Sequence, residues 1–170
     1  MATLYEGSLA FSFPDTWRVA KYDGWVFYRN QFKDSCLGCK AVDFLAIDPD
    51  RSELWLIEVK DYRRSPREKN ITMWDEMALK TLHTLAGIFA AKCNAVDEAK
   101  EIATQCLACT RLRAVLHLQQ PIQHSRLFPR VFNPADVQQK IRQLLRPIDA
   151  HPRVMEMDYM QGAAWTVVSA

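Results

Sequence analysis

No stretch of this 170-residue chain approaches the ~20 consecutive apolar residues of a membrane span, and no cationic leader surrounds the early Glu6. A cytoplasmic protein is therefore expected. Glycine and proline are scarce, at five and eight residues, which excludes collagen-like and low-complexity chains. Neither sign of charge is in excess: 22 basic against 20 acidic residues leave a formal charge of +2, so any basic surface for a polyanion must be local. Five cysteines, an odd number, do not suit a disulfide framework and point to reduced thiols or a metal site. Internal repeats and linker-like tracts are also missing. What remains is a chain long enough for a full hydrophobic core and too short for two ordinary domains, read as one domain over residues 1–170.

Apolar and turn residues alternate over residues 7–32, suggesting short strands with one helical turn near Trp17. Residues 41–48 and 53–60 are strand candidates joined by Pro49-Asp50-Arg51-Ser52, a β-hairpin. Ser65-Pro66-Arg67-Glu68 has the order of a capping box, predicting a long helix to about Lys92 whose core face carries Ile71, Trp74, Ala78, Leu82, Leu85 and Phe89. Asn94 is the expected cap of a second helix with a stripe of Ala99, Ile102, Ala103 and Cys106. A strand at 111–118 follows, then a helix capped by Asn133 and stopped by Pro147, and one or two edge strands near the end. This order predicts a mixed α/β (α+β) domain.

The hairpin carries the chemistry. Side chains alternate along a strand, so Glu58 and Lys60 share a face with Leu54 and Leu56, and Asp43 shares one with Leu45 and Ile47. If Asp48 faces Glu53, paired residue numbers sum to 101, and Asp43 lies opposite Glu58. Like charges so opposed destabilise a sheet. A divalent cation offsets that, and Mg²⁺ or Mn²⁺ suits one or two carboxylates with positions left open for phosphate oxygens. Lys60 could lower the pKa of a metal-bound water, orient it, or stabilise charge on phosphorus.

Asp43 on one strand, with Glu58-Val59-Lys60 on the next, resembles the Asp…Glu-x-Lys signature of the PD-(D/E)xK, or restriction-endonuclease-like, nucleases. The resemblance implies a central mixed sheet flanked by helices, in the order helix, three strands, helix, strand. It implies Asp43, Glu58 and the Val59 carbonyl as metal ligands and Lys60 as catalytic lysine, and the leading expectation is a Mg²⁺- or Mn²⁺-dependent nuclease acting on DNA in preference to RNA. Many members carry a further acid on a helix before the hairpin. No convincing helix precedes Asp43 here, and Glu6 and Asp23 are the nearest candidates, Asp23 preferred for its place near a turn. The glutamine and tyrosine of the RecB-like branch are absent; Lys80 and His83 stand in that region and read as a solvated helix face.

Tyr62, Arg63, Arg64 and Arg67 form a cationic turn just beyond Lys60, where arginines could hold flanking phosphates and the tyrosine could stack on a base. Cys36 and Cys39, with Cys106 and Cys109, form two C-x-x-C pairs that could hold zinc or an iron–sulfur cluster, although buried structural thiols are the simpler account. Two rivals to a nuclease follow: an inactive nucleic-acid-binding module on the same fold, and a cysteine-based metalloprotein. Many small nucleases of this type act as homodimers, but no sequence feature names an interface. Trp17, Trp25 and Trp165 fit either such a surface or the core.

Overall fold

The computed structural model describes residues 1–64, 70–121 and 131–170. Strands β1 (Ala2–Glu6) and β2 (Leu9–Phe13) form an antiparallel hairpin, followed by β3 (Arg18–Lys21), a 3₁₀ turn at Tyr22–Gly24 and a π-helical turn at Tyr28–Phe32. Next come β4 (Phe44–Asp48), β5 (Glu53–Asp61), α1 (Met73–Asn94), α2 (Glu98–Ala108), β6 (Arg111–Gln119), α3 (Pro134–Leu145), β7 (Arg153–Met155) and β8 (Thr166–Ser169). The domain is mixed α/β. A five-stranded sheet runs β3-β4-β5-β6-β7, antiparallel over its first three strands and parallel over the rest, and a three-stranded antiparallel sheet runs β1-β2-β8.

The period-two pattern of the hairpin sorts its residues between two apolar layers. Leu45, Ile47, Leu54 and Leu56 meet Ile88 and Ala91 of α1 and Ile102 and Cys106 of α2, while α3 packs against β6, β7 and the start of α1. On the opposite side Phe44, Trp55, Ile57 and Val59 pack against Leu9, Phe11, Phe13 and Val167 of the small sheet. Among the described residues the large sheet is thus covered by helices on one face only, and the second cover is a sheet, where the resemblance implied helices. Trp17, Trp25 and Trp165 are all buried, so they are core.

Several local expectations are corrected. Trp25 and Phe27 lie at the helical turns rather than in a strand, and Trp17 closes a turn on the Pro14 carbonyl instead of a helix. Helix α1 begins at Met73, where Thr72 accepts a hydrogen bond from the Asp75 amide. The expected capping box at 65–68, Arg67 included, lies outside the described residues. Asn94 ends α1, and Asp97 caps α2. The buried face of α1 is Met73, Met77, Thr81, Thr84, Ile88 and Ala91, whereas Leu82 and Phe89 are exposed. The stripe of α2 and the Asn133 cap of α3 are as expected. Among the described residues no helix is long and apolar enough to cross a membrane.

Candidate active site at the open end of the hairpin

The hairpin register is the expected one, Phe44 pairing with Ile57 and Asp48 with Glu53. The first strand starts at Phe44 and not at 41, because the preceding amides turn to other partners. The Lys40 amide donates to His83 Nδ1 and the Val42 amide to Thr84 Oγ1, both on α1. Asp43 therefore sits just off the ladder rather than strictly opposite Glu58. Its amide donates to the Ile57 carbonyl, its carbonyl accepts from Tyr22, and its Oδ2 accepts from the Val59 amide at 2.6 Å. These three bonds aim the Asp43 carboxylate into the space beside Glu58.

Glu58 is 1% exposed and enclosed by ammonium groups. Lys60 Nζ donates to its Oε1, and Lys80 Nζ donates to both oxygens at 2.6 and 2.8 Å. Lys60 also stands 3.9 Å from buried Glu76 of α1. Burial opposes the charge on Lys60, but Glu58 and Glu76 outweigh it and hold the ammonium above its usual range. Lys80 and His83 are thus turned inward, against the expectation of a solvated face.

The additional acid has two claimants, and the fold supplies both. Carboxylate oxygens of Glu6, Asp23 and Asp43 lie within 4.8 Å of one another. Asp23 comes from the 3₁₀ turn after β3, and its Oδ1 is buried without a partner. Glu6 comes from the end of β1 and pairs with Lys21 at 2.7 Å. Burial, reinforced by Glu58, pushes the Asp43 carboxyl up to about 8, and burial also raises Asp23. Five carboxyl groups (Glu6, Asp23, Asp43, Glu58, Glu76) thus gather around the ammonium groups of Lys21, Lys60 and Lys80, and a divalent cation bound there would favour the ionised form of Asp43. The unpartnered Asp23 oxygen and the all-oxygen donor set fit a hard cation of the Mg²⁺ or Mn²⁺ type. Val59 contributes its amide to Asp43 and its side chain to the inter-sheet core.

A cavity of about 440 Å³ opens on this cluster, lined by Asp23, Asp43, Glu76 and Lys80 together with Arg29, Lys33 and Lys40. Arg29 and Lys33 are exposed on the helical turn before the hairpin. Among the described residues these two and Lys40 form no ion pair. This basic wall was not legible in the sequence, because nothing local links residue 29 to residue 43. The predicted cationic turn is less available. Arg63 is tied to Asp61 and to Ser8 and Ser169 of the small sheet, and Tyr62 packs against Phe132 with ring centroids 6.0 Å apart. Arg64 remains exposed, and Arg67 lies outside the described residues.

The cysteines do not converge. Cys36 is exposed while Cys39 and Cys106 are buried, and among the described residues the cluster of possible metal ligands contains no thiol. Burial raises the Cys106 thiol to about 12, as expected of a structural thiol.

No protein-family model and no solved structure matches the chain. The chain is similar to the cysteine–tRNA ligase of Neisseria meningitidis serogroup A, at 33% identity over 160 residues. The match takes in 76% of this chain and 23% of the ligase, so the chain spans about a quarter of the length of the curated relative that it matches.

Proposed function

We propose that this chain is a metal-dependent nuclease of the PD-(D/E)xK kind that hydrolyses phosphodiester bonds, with DNA as its polymer. The observation that carries the reading is the convergence of Glu6, Asp23 and Asp43 beside Glu58 at the open end of the hairpin, with a basic wall along the same cavity. The run of β3, β4 and β5, then α1 and the parallel β6, accords with the restriction-endonuclease-like core, α2 being an insertion.

A divalent cation bound there would supply charge neutralisation and an activated water. The protein's own groups do the rest. Asp43, held by the Val59 amide, and Glu58 present acceptor oxygens in fixed positions. Arg29, Lys33 and Lys40 offer phosphates flanking the scissile one a run of donors, which positions the strand without reading its sequence. Lys60, pinned between Glu58 and Glu76, sets the direction of the Glu58 carboxylate.

A second reading, RNA as the polymer, is favoured by the similarity to a protein named for tRNA. Both are tested by incubating the purified protein with single- and double-stranded DNA, unstructured RNA and tRNA, in Mg²⁺, Mn²⁺ or EDTA. Cation-dependent cleavage that disappears in Asp43→Ala is expected. Cleavage surviving that substitution, or in EDTA, would sink the assignment, and salt-sensitive binding without cleavage would leave a binding module.

A further inference from the structure

Lys80 occupies a position that the hairpin signature does not provide. It projects from α1, its side chain is 14% exposed, and it lines the cavity beside Asp43, whereas Lys60 does not reach that lining. Both Glu58 oxygens accept from it. Lys60 has a second acid in Glu76, but among the described residues Glu58 is the only ion-pair partner of Lys80.

A carboxylate has about four lone-pair sites, and the two lysines occupy three of those on Glu58. One site is left open, but Lys80 is the ammonium that lines the cavity, so a cation reaching Glu58 from that side competes with Lys80 for the oxygens it holds. Lys80 is the one to leave, since Lys60 remains held by Glu76. The freed ammonium then stands in the cavity that the phosphate would enter, beside the carboxylates that would hold the cation.

We infer that Lys80 is a cation-released catalytic residue: it neutralises Glu58 in the cation-free protein and donates to a non-bridging oxygen of the scissile phosphate once a cation takes Glu58. The inference rests on the nuclease reading, and its consequences separate from that reading. While Glu58 holds it, Lys80 cannot contribute to nucleic-acid binding, so its contribution should depend on the cation. A purely structural lysine would show no such dependence.

The test uses the full chain and its Lys80→Met and Lys80→Arg variants, each checked for native melting. Mn²⁺ affinity without nucleic acid is read by calorimetry, and affinity for a short fluorescent DNA oligonucleotide is read with Ca²⁺ and with EDTA. Lys80→Met should bind Mn²⁺ about tenfold more tightly, having lost the competitor, and should bind the oligonucleotide about tenfold more weakly in Ca²⁺ but unchanged in EDTA. Cleavage should fall by about 100-fold and be partly restored in Lys80→Arg. Equal or weaker Mn²⁺ binding by a folded Lys80→Met, or an oligonucleotide defect of the same size in EDTA, would overturn the inference. If the wild-type protein cleaves nothing, the nuclease reading fails, and the two binding comparisons still decide where Lys80 goes.

Discussion

The hairpin has an acidic pair at each end, and the two pairs are neutralised differently. At the turn, Asp48 and Glu53 face each other in the ladder, and both are buried. Asp48 accepts from the turn amides of Asp50 and Arg51, while Glu53 is flanked by Arg111 at 3.5 Å and Arg113 at 3.1 Å. At the open end, Asp43 has one amide, Glu58 has two lysines, and Glu6, Asp23 and Glu76 add further acid. Opposed carboxylates can thus be held by arginines and backbone amides, as at the turn, although both arginines there meet Glu53 Oε1 and its Oε2 is buried without a hydrogen-bond partner. The open end differs in the number of acids that converge there, its lysine partners and its access to a cavity. Arginine forks fix a carboxylate in place, whereas an ammonium on a flexible stem can leave.

The contrast is sharpest in catalysis. Glu58→Gln should lower cation-dependent cleavage by about 10³-fold, whereas Asp48→Asn should change it less than about threefold; initial rates on one DNA substrate in Mn²⁺ decide this. Comparable losses in the two variants would erase the distinction between the ends.

Stability should show the reverse bias. Arg113→Ala removes a partner from buried Glu53 and from Asp149, which lies 3.7 Å away. It should cost about 3 kcal/mol in urea unfolding, because two buried carboxylates lose an ion-pair partner at once, Glu53 keeping, among the described residues, only the half-exposed Arg111 and Asp149 only the amides of Ala114 and His151. Lys60→Met should cost less, because Lys80 continues to neutralise Glu58.

The smallest effect concerns pH. The Asp43 carboxyl titrates near 3.8 when unfolded but is pushed up to about 8 in the fold by burial and Glu58. The folded protein holds this proton across that window while the unfolded chain has released it, so stability falls as pH rises from 3.8 towards 8. In EDTA, Asp43→Asn should remove this part of the slope and leave the protein about 2 kcal/mol more stable than wild type at pH near 8, as read by urea melts across pH.

The hairpin was legible because turn chemistry and a period of two specify its register together, as the pairing of Asp48 with Glu53 shows. Helix α1 misled because it is apolar nearly all round. Its larger side chains, Leu82 and Phe89, suggested one face, yet the fold buries Thr81 and Thr84 instead. Both hydroxyls are satisfied, Thr81 donating to the Met77 carbonyl and Thr84 accepting from Val42, so their burial costs little. That phase turns Lys80, Glu76 and His83 to the site. Glu76 was missed outright, and a helix phased on hydroxyl as well as hydrocarbon would have found it. Asp23 and Glu6 were both legible as candidate acids, Asp23 preferred as an acid near a turn; that Glu6 joins it follows from the assembly of a second sheet.

Glu6 is the last residue of β1, and the β1–β2 loop is two residues long, with Gly7 in the left-handed region at φ +55°. That loop fixes which way Glu6 points. Slippage of the pairing by one residue would turn every β1 side chain to the other face of its sheet. The carboxylate would then leave Asp23 and Asp43 while the main sheet stayed intact. The acidic cluster is divided between two layers, so a backbone preference at one glycine, far in sequence from the hairpin, acts as the alignment key for the proposed cation site.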